Sequence, residues 1–177
     1  MSGSTKPNRT RKATASDLVM TSAHLAADIV KRLPLRGLCL EPCRGTGNIY
    51  NALPHPKDWC EITQGRDFFS YHRLVDWIVT NPPYSIYDDF LRHTFDLADH
   101  VVVLVPLAKA FKSQGLELAV MQYGGLRQII LLGGGRQCGF PFGFLTGLLY
   151  YKRNYHGPID YKSPSPKRRS ERLRIDG

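Results

Sequence analysis

Strand-like and helix-like segments take turns along residues 16–155, and that alternation restricts the chain to very few architectures. Short apolar runs suited to strands occur at 37–40, 59–62, 76–80 and 100–106, then at 127–132 and 144–151. Between the first of them lie stretches with helical spacing. In 22–33, Leu25, Ile29, Val30 and Leu33 share one face before Pro34 ends the run, and in 86–98 Ile86, Phe90, Leu91 and Phe95 do the same. Residues 48–53 predict a short helix and 108–121 another, weakened at Gly115. Strands alternating with helices imply an α/β fold, a mainly parallel sheet with helices on both faces. The last two strands, joined by the Gly- and Phe-rich loop 133–143, are expected to form an antiparallel hairpin at the C-terminal end.

At 177 residues the chain suits one domain. No apolar run approaches the ~18–20 residues of a membrane span. The N-terminus is basic without an apolar signal segment, so a cytoplasmic protein is expected. Four cysteines, Cys39, Cys43, Cys60 and Cys138, form no CxxC pair and no zinc spacing; the expectation is buried, reduced thiols and no metal.

The net charge of +9 is unevenly spread. Residues 1–15 carry Lys6, Arg9, Arg11 and Lys12 and no acid, for +4. Residues 152–177 hold eight Lys/Arg against three acids, for +5, while 16–151 hold twelve of each sign. The expected organisation is a basic disordered tail over 1–15, a globular body over 16–155 and a basic C-terminal tail over 156–177. Tails of this charge suit a polyanion such as nucleic acid, or serve as solubilising ends.

In open parallel sheets, ligands bind beyond the carboxyl ends of the strands, near the topological switch point. Glu41-Pro-Cys-Arg-Gly-Thr-Gly47, Glu61, Asp67 and Asn81-Pro-Pro-Tyr84 all follow predicted strands, so all are expected on one rim. Gly45 and Gly47 permit a tight turn against a ligand. The turn lacks the third glycine of a dinucleotide fingerprint and the Gly-Lys-Ser/Thr of a P-loop. Glu41 at the strand end repels phosphate and suits a cation. Glu61 can accept from ribose hydroxyls or stand as a solvated strand end. Asp67 can accept from an adenine amino group with Phe68 flanking the ring, or cap a turn. The Asn81 amide and a backbone carbonyl held by Pro82 and Pro83 can together accept both hydrogens of one NH2 group, with Tyr84 stacked on the ring that carries it.

The EPCRGTG turn followed by NPPY resembles the class I S-adenosylmethionine-dependent methyltransferases, in particular those that methylate the N6 amino group of adenine in DNA. Thr21-Ser-Ala-His-Leu-Ala26 is similar to that family's extra N-terminal cofactor motif. The resemblance covers residues ~18–151 and extends to the small enzymes carried by phages and prophages. It implies a Rossmann-like methyltransferase fold and S-adenosyl-L-methionine as cofactor. Glu41, Gly45 and Gly47 would line the methionine part, with Thr21 and His24 near its end. Glu61 would bind the ribose, and Asp67 with Phe68 the adenine. Asn81 would touch both cofactor and target; Asn81 and the Pro82 carbonyl would grip the target amine, with Pro83 stiffening the turn and Tyr84 stacking on the base. In the loop 133–143, Phe140 and Phe142 either stack the extruded base or pack beneath the hairpin, and Arg136 is placed to meet a phosphate.

Two features depart from the family pattern. No stretch has room for a target recognition domain, so either specificity is relaxed or short, or a second subunit of a dimer or partner completes it. Arg44 places a cation beside a cationic cofactor, and is expected to point outward. Besides a DNA adenine methyltransferase, the readings are an RNA adenine N6-methyltransferase, a protein glutamine N-methyltransferase, and a catalytically silent nucleic-acid-binding partner.

Overall fold

The computed structural model describes residues 19–163; both expected basic tails lie largely outside the described residues. The chain forms β1 (Cys39–Glu41), β2 (Lys57–Trp59), β3 (Val75–Thr80), β4 (Ala98–Pro106), β5 (Gly124–Gly134), β6 (Leu145–Arg153) and β7 (Asp160–Lys162). These make one seven-stranded sheet in the order β2-β1-β3-β4-β6-β5-β7. The first four pair in parallel. β6 runs antiparallel to both β4 and β5, so the predicted hairpin is present, and β7 closes the far edge parallel to β5. The order reverses between β1 and β3, whose carboxyl ends lie side by side. That is the switch point at which a crevice forms.

Helices α1 (Ala23–Lys31), α2 (Asn48–Ala52), α3 (Tyr87–Leu97), α4 (Leu107–Ala110) and α5 (Gln114–Tyr123) cover the sheet. Alternate strand residues feed two cores, as the period of two demands. Cys39, Trp77, Val79, Val102 and Leu104 pack with Ala26 and Ile29 of α1 and Ile49 of α2. Leu40, Ile78, Val101, Val103 and Val105 pack with Phe90, Leu91 and Phe95 of α3 and Leu116 of α5. Burial on both faces explains why β4 is an unbroken apolar run from Val101 onward. Among the described residues no helix is long and apolar enough to cross a membrane.

Three elements differ from the sequence-based expectation. The second strand ends at Trp59, so Glu61 lies beyond it, in an isolated bridge with Arg66. The helix expected over 108–121 is two helices, because the Ser113 hydroxyl accepts from the Leu116 amide and starts α5 afresh. Finally, the expected C-terminal tail begins with a strand. Asp160–Lys162 pair with β5, and the Gln128 side-chain amide donates to the Asp160 carboxylate.

Candidate active site

The rim is assembled by the turns that leave β1 and β3. Gly45 and Gly47 both hold positive φ, +51° and +85°, conformations that other residues resist. Gly47 then starts α2, and the Lys57 ammonium ties the other end of this short helix by donating to the Tyr50 and Leu53 carbonyls. The glycine turn is bound sideways to the next loop: the Gly45 amide donates to Glu61 Oε2 at 2.7 Å, while Thr63 donates to Oε1 through its amide and hydroxyl. Cys43 reaches from β1 to β3, with Sγ 2.7 Å from Thr80 Oγ1 and 3.1 Å from the Asn81 carbonyl. Glu41, Gly45, Glu61 and Asn81 are therefore held as one cluster, as the strand-end rule predicts.

Asn81 is oriented by its neighbours. Its Nδ2 donates to the Val19 carbonyl at 2.7 Å and to Thr21 Oγ1 at 3.3 Å. A carbonyl only accepts, so the amide nitrogen must face it, and the oxygen is turned toward Tyr84, whose hydroxyl donates to Oδ1 at 2.8 Å. The acceptor expected to hold a target amine thus faces the aromatic side of the rim. Thr21 is buried, and its carbonyl accepts from Asn48 Nδ2. Residues 19–21 consequently lie across the glycine turn like a strap. The half-open space they line with Glu41, Asn48 and Asn81 is small, ≈ 30 Å³.

The two carboxylates of the rim are driven in opposite directions. Burial pushes the Glu41 carboxyl up to about 8, only partly offset by a hydrogen bond from the Tyr50 backbone and the charge of Arg44. Its Oε2 is buried without a hydrogen-bond partner. For Glu61 burial acts in the same upward sense, but the hydrogen bonds from Thr63 and Gly45 and the Arg44 charge outweigh it, and the carboxyl lies below its usual range. A buried acid with one unpartnered oxygen beside an ionised carboxylate is a place where a cation can displace the acid's proton.

Several predicted residues lie elsewhere. Arg44 does not point outward; its guanidinium sits 4.7 Å from the Trp59 ring centroid and 5.1 Å from that of Tyr50, so it stacks back over the β2 edge. Phe68 does not face a ligand. The single turn it opens drives the ring inward, 4.7 Å from both Phe90 and His93, and leaves it buried. Asp67 caps that turn by accepting from the Phe69 amide at 3.0 Å. His24 is on the outer side of α1 and lines a different cavity of ≈ 420 Å³, between α1, β5 and the end of β7. Phe140 is buried in the α1-side core. Pro82 and Pro83 form the rigid turn between Asn81 and Tyr84, and Arg136 is exposed on the loop after β5.

Of the two loop phenylalanines, Phe142 reaches the site. Its ring meets Tyr84 edge-on at 6.3 Å and stacks on Phe140 at 5.3 Å. A Cβ on Gly135 would fall 2.5 Å from Phe142 Cδ2, so Phe142 rests directly on that glycine. Gly135→Ala is therefore expected to displace Phe142 from Tyr84 and lower turnover about tenfold, within the ~1–3 kcal/mol of a base–aromatic contact. Because the clash includes the Phe142 backbone oxygen, also 2.5 Å away, the melting temperature should fall as well, so turnover is compared well below the melt. Steady-state kinetics beside a thermal melt checks this. Residues not singled out from sequence are Thr63, Cys43, Thr80 and Asn48, which position the others. Exposed Ile62, following Glu61, is also new to the rim.

No family model matches the sequence, and no curated protein matches it. Solved structures do. A protein of Listeria monocytogenes assigned to the class I S-adenosylmethionine-dependent methyltransferases superposes with a TM-score of 0.63 at 12% identity, over 88% of this chain and 68% of its own. A modification subunit assigned to a type I restriction enzyme of Vibrio vulnificus gives 0.61 at 16%, over 85% of this chain and 48% of its own. The 23S rRNA methyltransferase ErmE gives 0.57 at 18%, over 77% and 71%. The chain thus spans about half the length of the restriction subunit it matches. Sheet order, switch-point crevice and superpositions agree: the chain has the Rossmann-like fold of S-adenosylmethionine-dependent methyltransferases.

Proposed function

We propose that the protein transfers a methyl group from S-adenosyl-L-methionine to the N6 amino group of adenine in nucleic acid, DNA in the first instance, with relaxed or short sequence specificity. The observation that carries this reading is the orientation of Asn81. Its amide oxygen is held toward Tyr84 at the switch point, one strand from the buried, unpartnered Oε2 of Glu41. Glu41 suits the cationic methionine end and Glu61 the ribose, while the glycine turn lets the backbone approach. Exposed Ile62 offers an apolar surface for the cofactor's adenine in place of buried Phe68. The bound cofactor supplies a methyl on a sulfonium; as the S–C bond breaks a N–C bond forms, and the nitrogen then gives a proton to solvent.

The chain's own residues set up the acceptor. An adenine amine is a poor nucleophile because its lone pair is delocalised into the ring. Asn81 Oδ1 and the Pro82 carbonyl, gripping the two hydrogens, favour a pyramidal nitrogen with its lone pair directed at the methyl. Both dipoles also stabilise the positive charge that develops there. Tyr84 and Phe142 hold the ring in place, which supplies alignment. Entry of the cofactor's methionine end beside Glu41 is expected to displace residues 19–21, which line the small space there.

Among structures of this fold are restriction-modification subunits and an rRNA methyltransferase, so both nucleic acids are substrates to test, and a partner subunit is a route to sequence recognition. The test is incubation with methyl-labelled cofactor and, separately, unmethylated DNA, RNA and a glutamine-containing peptide, followed by identification of the modified atom. N6-methyladenine in DNA is expected. Label in RNA alone would transfer the reading to RNA, label on glutamine would replace it, and no label anywhere would overturn it.

A further inference from the structure

Charge within the body divides at residue 100. Residues 16–99 hold eight Lys/Arg and eleven acids, for −3, whereas 100–159 hold six Lys/Arg and Glu117 as the sole acid, for +5. The acidic half includes the Glu41 and Glu61 cluster. The basic half supplies the other side of the rim, and there two rings stand out in solvent: Phe111 is 61% exposed and Phe144 62%.

Both lie at the carboxyl end of β4. Pro106 pairs with Thr146, which sets the turn carrying Phe111 and the approach carrying Phe144 on either side of the same strand end. Phe144 continues the aromatic line that starts in the site, since Tyr84 meets Phe142 at 6.3 Å and Phe142 meets Phe144 at 5.9 Å. Cations flank each ring: Lys109 and Lys112 bracket Phe111, and Arg136 shares the loop of Phe144; all three are exposed. The carboxylates nearest in sequence to Tyr84, Asp88 and Asp89, occupy the first turn of α3, where the helix dipole favours them.

Exposed rings between exposed cations match an unpaired strand, whose bases offer free faces and whose phosphates track alongside. A duplex hides those faces, and reading it takes a helix or ribbon in a groove. At the carboxyl ends of the strands the described rim presents the four-residue α4, the first turns of α2 and α3, and the loop between β5 and β6, none of them an exposed helix long enough to lie in a groove. From this we infer that the substrate is a single-stranded nucleic acid segment, with Phe111 and Phe144 stacking on bases that flank the target. The inference rests on the adenine-methylating reading above. An unpaired adenine needs no extrusion, which in a duplex costs a few kcal/mol.

The experiment is fluorescence anisotropy of the full chain with a labelled 20-nucleotide DNA, single-stranded and hybridised to its complement, at one salt concentration. Basic segments favour duplex through its higher charge density, so the ring variants, compared on the two forms, report the rings. The single strand is expected to bind at least tenfold more tightly. Phe111→Ala and Phe144→Ala should each weaken single-strand binding about 5- to 100-fold and leave duplex binding unchanged. Both side chains are exposed, so unaltered melting temperatures are expected to accompany the loss. Equal affinity for the two forms, or a double variant that binds single strands like the parent, overturns the inference. Methyl transfer is followed on the same two DNAs. Transfer to duplex as readily as to single strand defeats this inference while leaving the proposed activity standing. Tight, ring-dependent single-strand binding without any transfer defeats the activity instead.

Discussion

Asn81→Ala is expected to lower the methyl-transfer rate about 10²–10³-fold while cofactor affinity stays within about threefold or improves. The loss follows from removing a dipole aimed where charge develops, whose removal in comparable sites costs that much. The affinity argument runs through the strap. Asn81 Nδ2 anchors the Val19 carbonyl and Thr21 Oγ1, so the alanine frees residues 19–21 from the glycine turn they cover. Any cost of moving that segment is thereby reduced. Asn81→Asp separates the two roles: it retains an acceptor toward Tyr84 but sets a second oxygen against the Val19 carbonyl. It should open the strap like the alanine and keep more of the rate. Single-turnover rates beside equilibrium cofactor binding decide the matter. A collapse of cofactor affinity in the alanine variant, with the rate at saturation preserved, would move Asn81 from the target amine to the cofactor.

The sheet and the clustering of Glu41, Gly45, Glu61 and Asn81 were legible because both follow from periodic signals. Strands buried on two faces are continuously apolar, and turns at their carboxyl ends converge at a switch point. Side-chain direction inside single turns was not legible. Phe68 and Phe69, or Phe140 and Phe142, are similar residues one or two apart, and a 3-10 turn or a loop has no repeat that says which ring faces in. His24 departs from expectation for a related reason: it lies three residues from Thr21, but α1 begins between them and turns it outward. Arg44 is explained only by Trp59 and Tyr50, which come from β2 and α2 and cannot be paired with it by spacing. β7 has no sequence signature because Asp-Tyr-Lys, exposed throughout, carries no apolar alternation.

Glu41→Gln is expected to weaken S-adenosyl-L-methionine binding about 10–100-fold at pH 8, in line with the loss of a hydrogen bond between charged groups, and to change how binding depends on pH. Burial raises the Glu41 carboxyl from an ordinary 4.5 to about 8, so in the ligand-free protein it is protonated at neutral pH. A cationic ligand favours the carboxylate, so its binding releases that proton. Affinity of the parent protein should therefore rise between about pH 6 and 8, approaching tenfold per unit, and the rise should be missing from the glutamine variant. The ligand's own α-amino group titrates near 8, but it does so equally for both proteins, and the difference between them reports Glu41. Stability changes in the opposite sense. Between about 4.5 and 8 the folded state retains a proton that the unfolded chain releases, so Glu41 makes the protein less stable as pH rises through that window. Glu61, whose pKa is lowered by Thr63 and Gly45 against its burial, contributes stability above the ordinary carboxylate range and loses it only in acid. The two effects thus occupy separate pH ranges. Glu41→Gln should melt higher than the parent at pH 8 and converge with it near pH 4.5, whereas Glu61→Gln should melt lower at pH 7. Calorimetric titrations in two buffers of different ionisation enthalpy count the released proton. A count of zero at pH 7, or a glutamine variant with unchanged affinity at pH 8, would show that the cation does not sit on Glu41.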